Sequence, residues 1–383
     1  MDLRFSAEDA AFRQRARTWL LTNLPSEPLP SGDTTAGFAA HKVFEQRLFA
    51  DGWAVPSWPV EFGGQGASLV QWLIFEEEYW ALGGPSRVAQ NGIFLLAPAI
   101  FALGTDEQKA RILKPMAAAE VLWAQGWSEP GAGSDLAAVK SYAERDEDAG
   151  GWRLFGQKTW CTRAAWCDRL FGLFRTDPNA AKKHHGLTYF LLDLDQPGIR
   201  LRPFARLDGD DGFAEVFLDG AFVADRDVLG EVNQGWRVAM QTTSSERGLS
   251  LRSPGRFLAA SQRLAALWRE RRDRPDVDPA LRHDVTRALI DAQAYRWHTY
   301  RTATAMAAGK EIGAEASLSK LFWSEMDLQI HQTAMALLGE DADLDGAWGK
   351  GFQFALAGPI YAGTNEIQRN IVGRRVLGLP RGA

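Results

Sequence analysis

Cysteine is nearly absent from the 383 residues: Cys161 and Cys167 stand alone, too few for a disulfide framework and wrongly spaced for a zinc site. A reduced, cytoplasmic setting and no bound metal are the expectations. No apolar run is long enough to cross a bilayer. The longest, Ile93 to Leu103, holds Pro98 and falls well short of the roughly 20 residues a spanning helix needs, so it reads as buried helix and no membrane insertion is expected. The opening Met1-Asp2-Leu3-Arg4-Phe5 lacks the apolar core of a signal peptide, and its acidic residues argue against a transit peptide. There is no basic excess either. Lys and Arg number 43 against 48 Asp and Glu, mixed along the chain for a net charge of −5, which argues against nucleic acid as a partner. Repeats of solenoid period and low-complexity tails are missing.

What is present is an ordinary soluble composition, 46% hydrophobic and 24% charged, long enough for two or three domains or one large layered unit. Tryptophan is abundant. Fifteen indoles are expected to line a large apolar interior or pocket rather than a wet surface.

Residues 6 to about 120 read as helices. Ser6 with Asp9 makes a capping box, after which Phe12, Ala16, Trp19 and Leu20 recur at helical spacing. Further helices are predicted over 38–49, 70–82, 92–103 and 106–119, the last capped by Thr105 with Gln108. Runs at 152–158, 170–175, 187–192 and 215–218 are short, alternating or apolar, and bounded by Asp, Gly and Pro, as in antiparallel strands. Helical character returns over 235–272, with a kink expected at Pro254-Gly255, then over 279–308 and 313–339, with a final helix at 364–376. The order is helices, strands, helices: an α+β chain with domains at 1–121, 122–233 and 234–383.

At the entry to the second lies Trp127-Ser128-Glu129-Pro130-Gly131-Ala132-Gly133-Ser134-Asp135. Its glycines and hydroxyls suit a ligand cradle, and equally a pair of ordinary turns. The stretch Ser128 to Asp135, together with Gly156-Gln157-Lys158-Thr159-Trp160-Cys161-Thr162, the segment Asp225 to Gly235 and Tyr361-Ala362-Gly363-Thr364-Asn365-Glu366-Ile367-Gln368-Arg369, resembles the acyl-CoA dehydrogenases in motif order and spacing.

The resemblance implies an N-terminal helical domain, a middle antiparallel β domain and a C-terminal four-helix bundle. It implies FAD as cofactor, an acyl-CoA substrate and electron-transfer flavoprotein as electron acceptor. The implied chemistry removes an α-proton to a base while the β-hydrogen leaves as hydride to flavin N5, giving a trans-2-enoyl-CoA in β-oxidation. By the same likeness Gln125, Gly126, Ser128, Trp160, Thr162, Thr364 and Glu366 bind the cofactor, and Ser134, Arg247, Tyr361 and Gly363 meet the CoA ester. The family's usual catalytic glutamate, just before Gly363, is Ala362 here, which keeps only a backbone N–H for the thioester carbonyl. A minority of the family carries the glutamate on the first long C-terminal helix, before an arginine. Ser244-Ser245-Glu246-Arg247-Gly248 matches that pattern and makes Glu246 the implied base.

Two elements that in family homodimers hold the neighbour's FAD are missing. Where an Arg-x-x-Phe-Gly motif would fall, the chain reads Trp268 to Arg274 without Phe-Gly. Where a glycine-rich turn would fall, it has Ala336, Glu340 and Ala342. Such one-sided loss resembles the heteromeric acyl-CoA dehydrogenases of bacterial steroid catabolism, and implies the catalytic subunit of an α2β2 heterotetramer acting on a bulky, steroid-type ester. Arg271, Arg272 or Arg274 could replace the lost phosphate contact. Other readings of the same residues are a flavin monooxygenase or oxidase on this fold, and a non-catalytic partner subunit.

Overall fold

The computed structural model describes residues 5–246, 253–310, 313–344 and 346–380, with the side chains of 244–246 outside that description. The chain divides into two compact units. One combines Met1–Ser26, Ala67–Gly84 and Arg247–Ala383; the other combines Glu27–Gly66 and Pro85–Glu246. Among the described residues no helix is long and apolar enough to cross a membrane.

The first unit is helical: α1 (Ala7–Asn23), α3 (Leu69–Ala81), α7 (Pro254–Arg271), α8 (Leu281–Ala307), α9 (Ala316–Leu338), α10 (Ala347–Ala355) and α11 (Asn365–Ile371). Ser6 and Asp9 form the expected reciprocal cap of α1. Helix α3 is buried from Gln71 through Tyr79. Burying Glu77 and Glu78 requires partners, which Arg13, Arg17 and Arg296 supply at 2.5 to 3.2 Å. At the start of α7 a Cβ on Gly255 would stand 2.4 Å from the Glu76 carbonyl oxygen, so only glycine lets the two helices approach this closely. The core of α7 to α9 contains Phe257, Leu264, Ala292, Tyr295, Trp323 and Ile330.

Pro254 departs from the expected kink. It does not kink a continuous helix; it opens α7 at the first helical position, after Ser253 in extended backbone, where its missing N–H and fixed φ cost nothing. The final helix is also shorter than expected, since α11 passes at Val372 into a π-helical turn ending at Val376. Helix α10 was not foreseen.

The second unit holds α2 (Thr35–Ala50), α4 (Ala97–Leu103), α5 (Asp106–Ala117), all eight strands, and α6 (Gly235–Glu246). The strands are β1 (Trp123–Gly126), β2 (Tyr142–Asp146), β3 (Gly151–Thr162), β4 (Arg169–Arg175), β5 (Leu187–Asp193), β6 (Ile199–Phe204), β7 (Phe213–Ala224) and β8 (Val228–Leu229). They form one sheet in the order β6-β7-β3-β2-β4-β5-β8, with β1 added beside β4. The long pairs are antiparallel as expected, but β1 runs parallel to β4, from Trp123 opposite Arg169 to Gly126 opposite Gly172. Residues 92–103 divide into a π-helical turn over Asn91–Leu96 and then α4, which has Pro98 in its first turn. Thr105 and Gln108 cap α5 reciprocally. Both cysteines are buried, and that burial pushes each thiol up to about 12.

Candidate active site

Strand β1 runs directly into the Trp127–Asp135 stretch. A Cβ on Gly126 would meet Leu170 at 2.5 Å, so the end of β1 lies against β4 because it has no side chain there. Partly buried Gln125 precedes it. Beyond, Glu129 and Ala132 exchange backbone hydrogen bonds of 2.9 and 3.0 Å, closing a turn with Pro130-Gly131 at its tip. The Ser128 carbonyl accepts from the Thr159 N–H at 2.9 Å, which joins this stretch to β3 beside Trp160 and Thr162.

A buried ion pair reinforces that joint. Glu129 accepts from Lys158 Nζ at 2.8 Å, from Lys140 N at 2.6 Å and from Ser141 N at 2.9 Å. Burial alone would raise the Glu129 carboxyl; the Lys158 charge and the backbone donors outweigh it and hold the group below its usual range. The pair is a component that sequence reasoning missed, although each residue sits inside one of the singled-out motifs.

Next to Lys158 the ladder between β3 and β7 slips register, and Trp160 takes a left-handed backbone, φ 59°. A β-bulge of this kind re-aims a side chain. Among fifteen tryptophans Trp160 is the single exposed one, at 59%, flanked by Phe204 at 5.3 Å and Phe213 at 5.5 Å. Thr162, partly buried, follows two residues later. Ser134 is exposed, and a Cβ on Gly131 or Gly133 would meet nothing within 4 Å. The Ser128–Thr159 bond thus brings the end of β1 and the backbone after it, which carry Gln125, Gly126 and Ser128, next to the β3 segment that carries Trp160 and Thr162.

Helix α6 packs against β5, where Thr242 and Tyr189 hydroxyls meet at 3.3 Å. Its last residue is Glu246. The Glu246 side chain and the whole of Arg247 lie outside the described residues.

Tyr361, Ala362, Gly363, Thr364 and Glu366 belong to the other unit. Ala362 and Gly363 are consecutively left-handed, φ 57° and 77°, and their carbonyls accept from Gln368 Nε2 at 3.0 and 3.2 Å. Thr364 caps α11 by accepting from Ile367 N at 3.3 Å. Buried Asn365 is fixed by Lys320 Nζ at 2.6 Å. Glu366 is exposed in the first turn; its own N–H and the Thr364 side chain hold its carboxyl below the usual range. Tyr361 packs 5.9 Å from the Trp323 ring.

In that unit the arginines that could have served a phosphate are occupied. Arg271 reaches Asp341 at 2.5 Å and Arg274 reaches it at 3.3 Å, while Arg274 also pairs with Asp276 and Arg272 with Asp273. A pyrophosphate would have to displace Asp341 and would meet its negative charge. The residues present fit the ring end of a flavin cofactor at Trp160, and do not fit a pyrophosphate at Arg271.

Three family profiles match: the acyl-CoA dehydrogenase N-terminal domain over residues 6–120, its middle domain over 124–220 and its C-terminal domain over 233–377. The chain is 38% identical to the acyl-CoA dehydrogenase IpdE1 of Mycobacterium tuberculosis, covering 97% of this chain and 98% of that protein. A solved structure named the Tcur3481-Tcur3483 steroid ACAD superposes with a TM-score of 0.87 at 26% identity, over 100% of both chains. The ChsE4-ChsE5 complex of Mycobacterium tuberculosis superposes with a TM-score of 0.84, also at 26% identity and over 100% of both chains.

Proposed function

This chain belongs to the acyl-CoA dehydrogenase family, and from that premise we propose that it binds FAD and dehydrogenates a bulky, steroid-type acyl-CoA ester at Cα–Cβ as one of two unlike subunits. The observation that carries the flavin reading is Trp160, a large indole left 59% exposed on a strained bulge while every other tryptophan is wholly or partly covered. A flat ligand lying against it would remove apolar surface from water, and Gln125, Gly126, Ser128 and Thr162 offer hydrogen bonds at its border.

Bound FAD would supply the two-electron oxidant that takes the β-hydrogen. The chain's own residues do the rest. Glu246 accepts the α-proton, and the Ala362 N–H donates to the thioester carbonyl, stabilising the charge that develops there. Ser134, Arg247, Tyr361 and Gly363 hold the CoA ester, and Thr364 and Glu366 contribute to the cofactor site. The left-handed pair at 362–363 keeps the chain out of α11, which begins only at Asn365.

The two-subunit reading is supported by the Asp341 clasp on Arg271 and Arg274, which keeps a second copy of this chain from holding the far end of FAD and leaves that to an unlike protein, and by similarity to the complexes with two named components. Electron-transfer flavoprotein is the proposed acceptor. Expression of the chain alone and with its genomic neighbour, followed by flavin quantitation and anaerobic titration with steroid side-chain CoA esters, tests both parts. A fully flavinated homotetramer from the single gene overturns the partner; an assembled complex whose flavin no acyl-CoA ester bleaches overturns the activity.

A further inference from the structure

One carboxylate holds both strand ends that frame Trp160. Asp33, in the loop before α2 and 7% exposed, accepts from Arg163 Nε at 2.6 Å on one oxygen and from Arg206 on the other. Arg163 follows Thr162 directly, at the end of β3, and its own N–H donates to the Gly212 carbonyl at 3.0 Å. Arg206 lies in the hairpin between β6 and β7, where Asp208 accepts from it at 2.6 Å and its backbone N–H donates to Asp210 at 2.9 Å. That hairpin begins after Phe204 and ends before Phe213, the two rings against Trp160.

The segment so held is strained. Trp160 and Arg163 both have left-handed backbones, φ 59° and 58°, a region that side chains with a Cβ enter only when their surroundings impose it. With each oxygen on a different guanidinium, Asp33 ties the β3 end and the β6–β7 hairpin to a common point.

We infer that Asp33 is a positioning residue for the flavin face: through Arg163 and Arg206 it sets the orientation of Trp160 and Thr162, and thereby the reduction potential of the cofactor held there. This rests on the flavin reading of Trp160. Arg111 and Asp227, an ion pair of 2.7 Å in the same unit, provide the comparison, because that pair ties α5 to the turn before β8, whereas the Arg87 carbonyl of the more deeply buried Glu45–Arg87 pair itself accepts from Arg163 at 3.3 Å.

The test is Asp33→Asn in the flavin-loaded protein, purified with any partner it needs, beside Asp227→Asn. Asp33→Asn is expected to shift the flavin midpoint potential, alter the absorption envelope and raise the FAD dissociation constant about tenfold. Asp227→Asn is expected to lower Tm without moving the potential. If Asp33→Asn does not fold, Arg206→Lys is read in the same way. A potential and spectrum equal to wild type in the Asp33 or Arg206 variant, or an equal shift in Asp227→Asn, overturns the inference. A wild-type complex that holds no flavin overturns the reading beneath it instead.

Discussion

Lys158 on β3 and Glu129 on the turn after β1 form an ion pair of 2.8 Å, with the lysine wholly buried. Lys158 also donates to the Leu173 carbonyl at 2.7 Å and stands 4.6 Å over the Phe174 ring. Removing one partner leaves a charge buried without its counterion, so Glu129→Gln is expected to cost about 3–5 kcal/mol in urea unfolding. Combining it with Lys158→Met is expected to cost less than the two single changes added together.

Asp33 makes stability depend on pH. Burial would raise its carboxyl, but Arg163 and Arg206 prevail and hold it below the ordinary value. A carboxyl with a depressed folded pKa stabilises the fold above its unfolded pKa, about 3.9, and the gain disappears as pH falls through the lower folded value. Thermal melts from pH 6 downward should show wild type losing Tm in that window, with Asp33→Asn less stable at pH 6 and flatter below it.

Trp160→Ala removes the exposed platform. Because the indole is 59% exposed, Tm is expected to change little. FAD affinity should fall about fivefold to tenfold, the value of roughly 1–1.4 kcal/mol of aromatic contact. Thermal melts of the apoprotein measure the first quantity and equilibrium titration with FAD the second.

Asp341→Ala should turn a closed clasp into an anion site. Tm of wild type is expected to respond little to inorganic phosphate, whereas the variant, with Arg271 released and Arg274 held only by Asp276, should be stabilised progressively as phosphate rises. Equal phosphate responses would show that Asp341 does not block those arginines.

Glu246→Gln is expected to lower kcat by about 10² to 10⁴, the range for loss of a general base, with flavin content and absorption unchanged. Unaltered turnover in the assembled complex would exclude Glu246 as the base.

Local features were the most legible in the sequence. The caps at Ser6 and Thr105 and the strands around Leu154, Phe171, Phe190 and Val216 follow from neighbours three residues apart or from alternation. Trp160 and Thr162 were singled out through their motif, yet neither the exposure of that indole nor its bulge has a local signature. Asp33 lies 130 residues from Arg163, and Glu129 lies 29 from Lys158; in sequence each reads as a surface charge, because nothing local distinguishes a buried pair. The parallel pairing of β1 with β4 is hidden for the same reason. At Pro254 the residue was recognised as a breaker, but whether it kinks a helix or begins one depends on the backbone of Ser253.

The two buried thiols have a practical meaning. With Cys161 and Cys167 both pushed up to about 12, on the order of one molecule in 10⁴ carries a thiolate at pH 8, and neither sulfur is open to a bulky reagent. Maleimide chemistry should pass over the native protein, so a single cysteine introduced at the rim of the Trp160 platform would accept a dye or spin label selectively, without a cysteine-free background having to be built first.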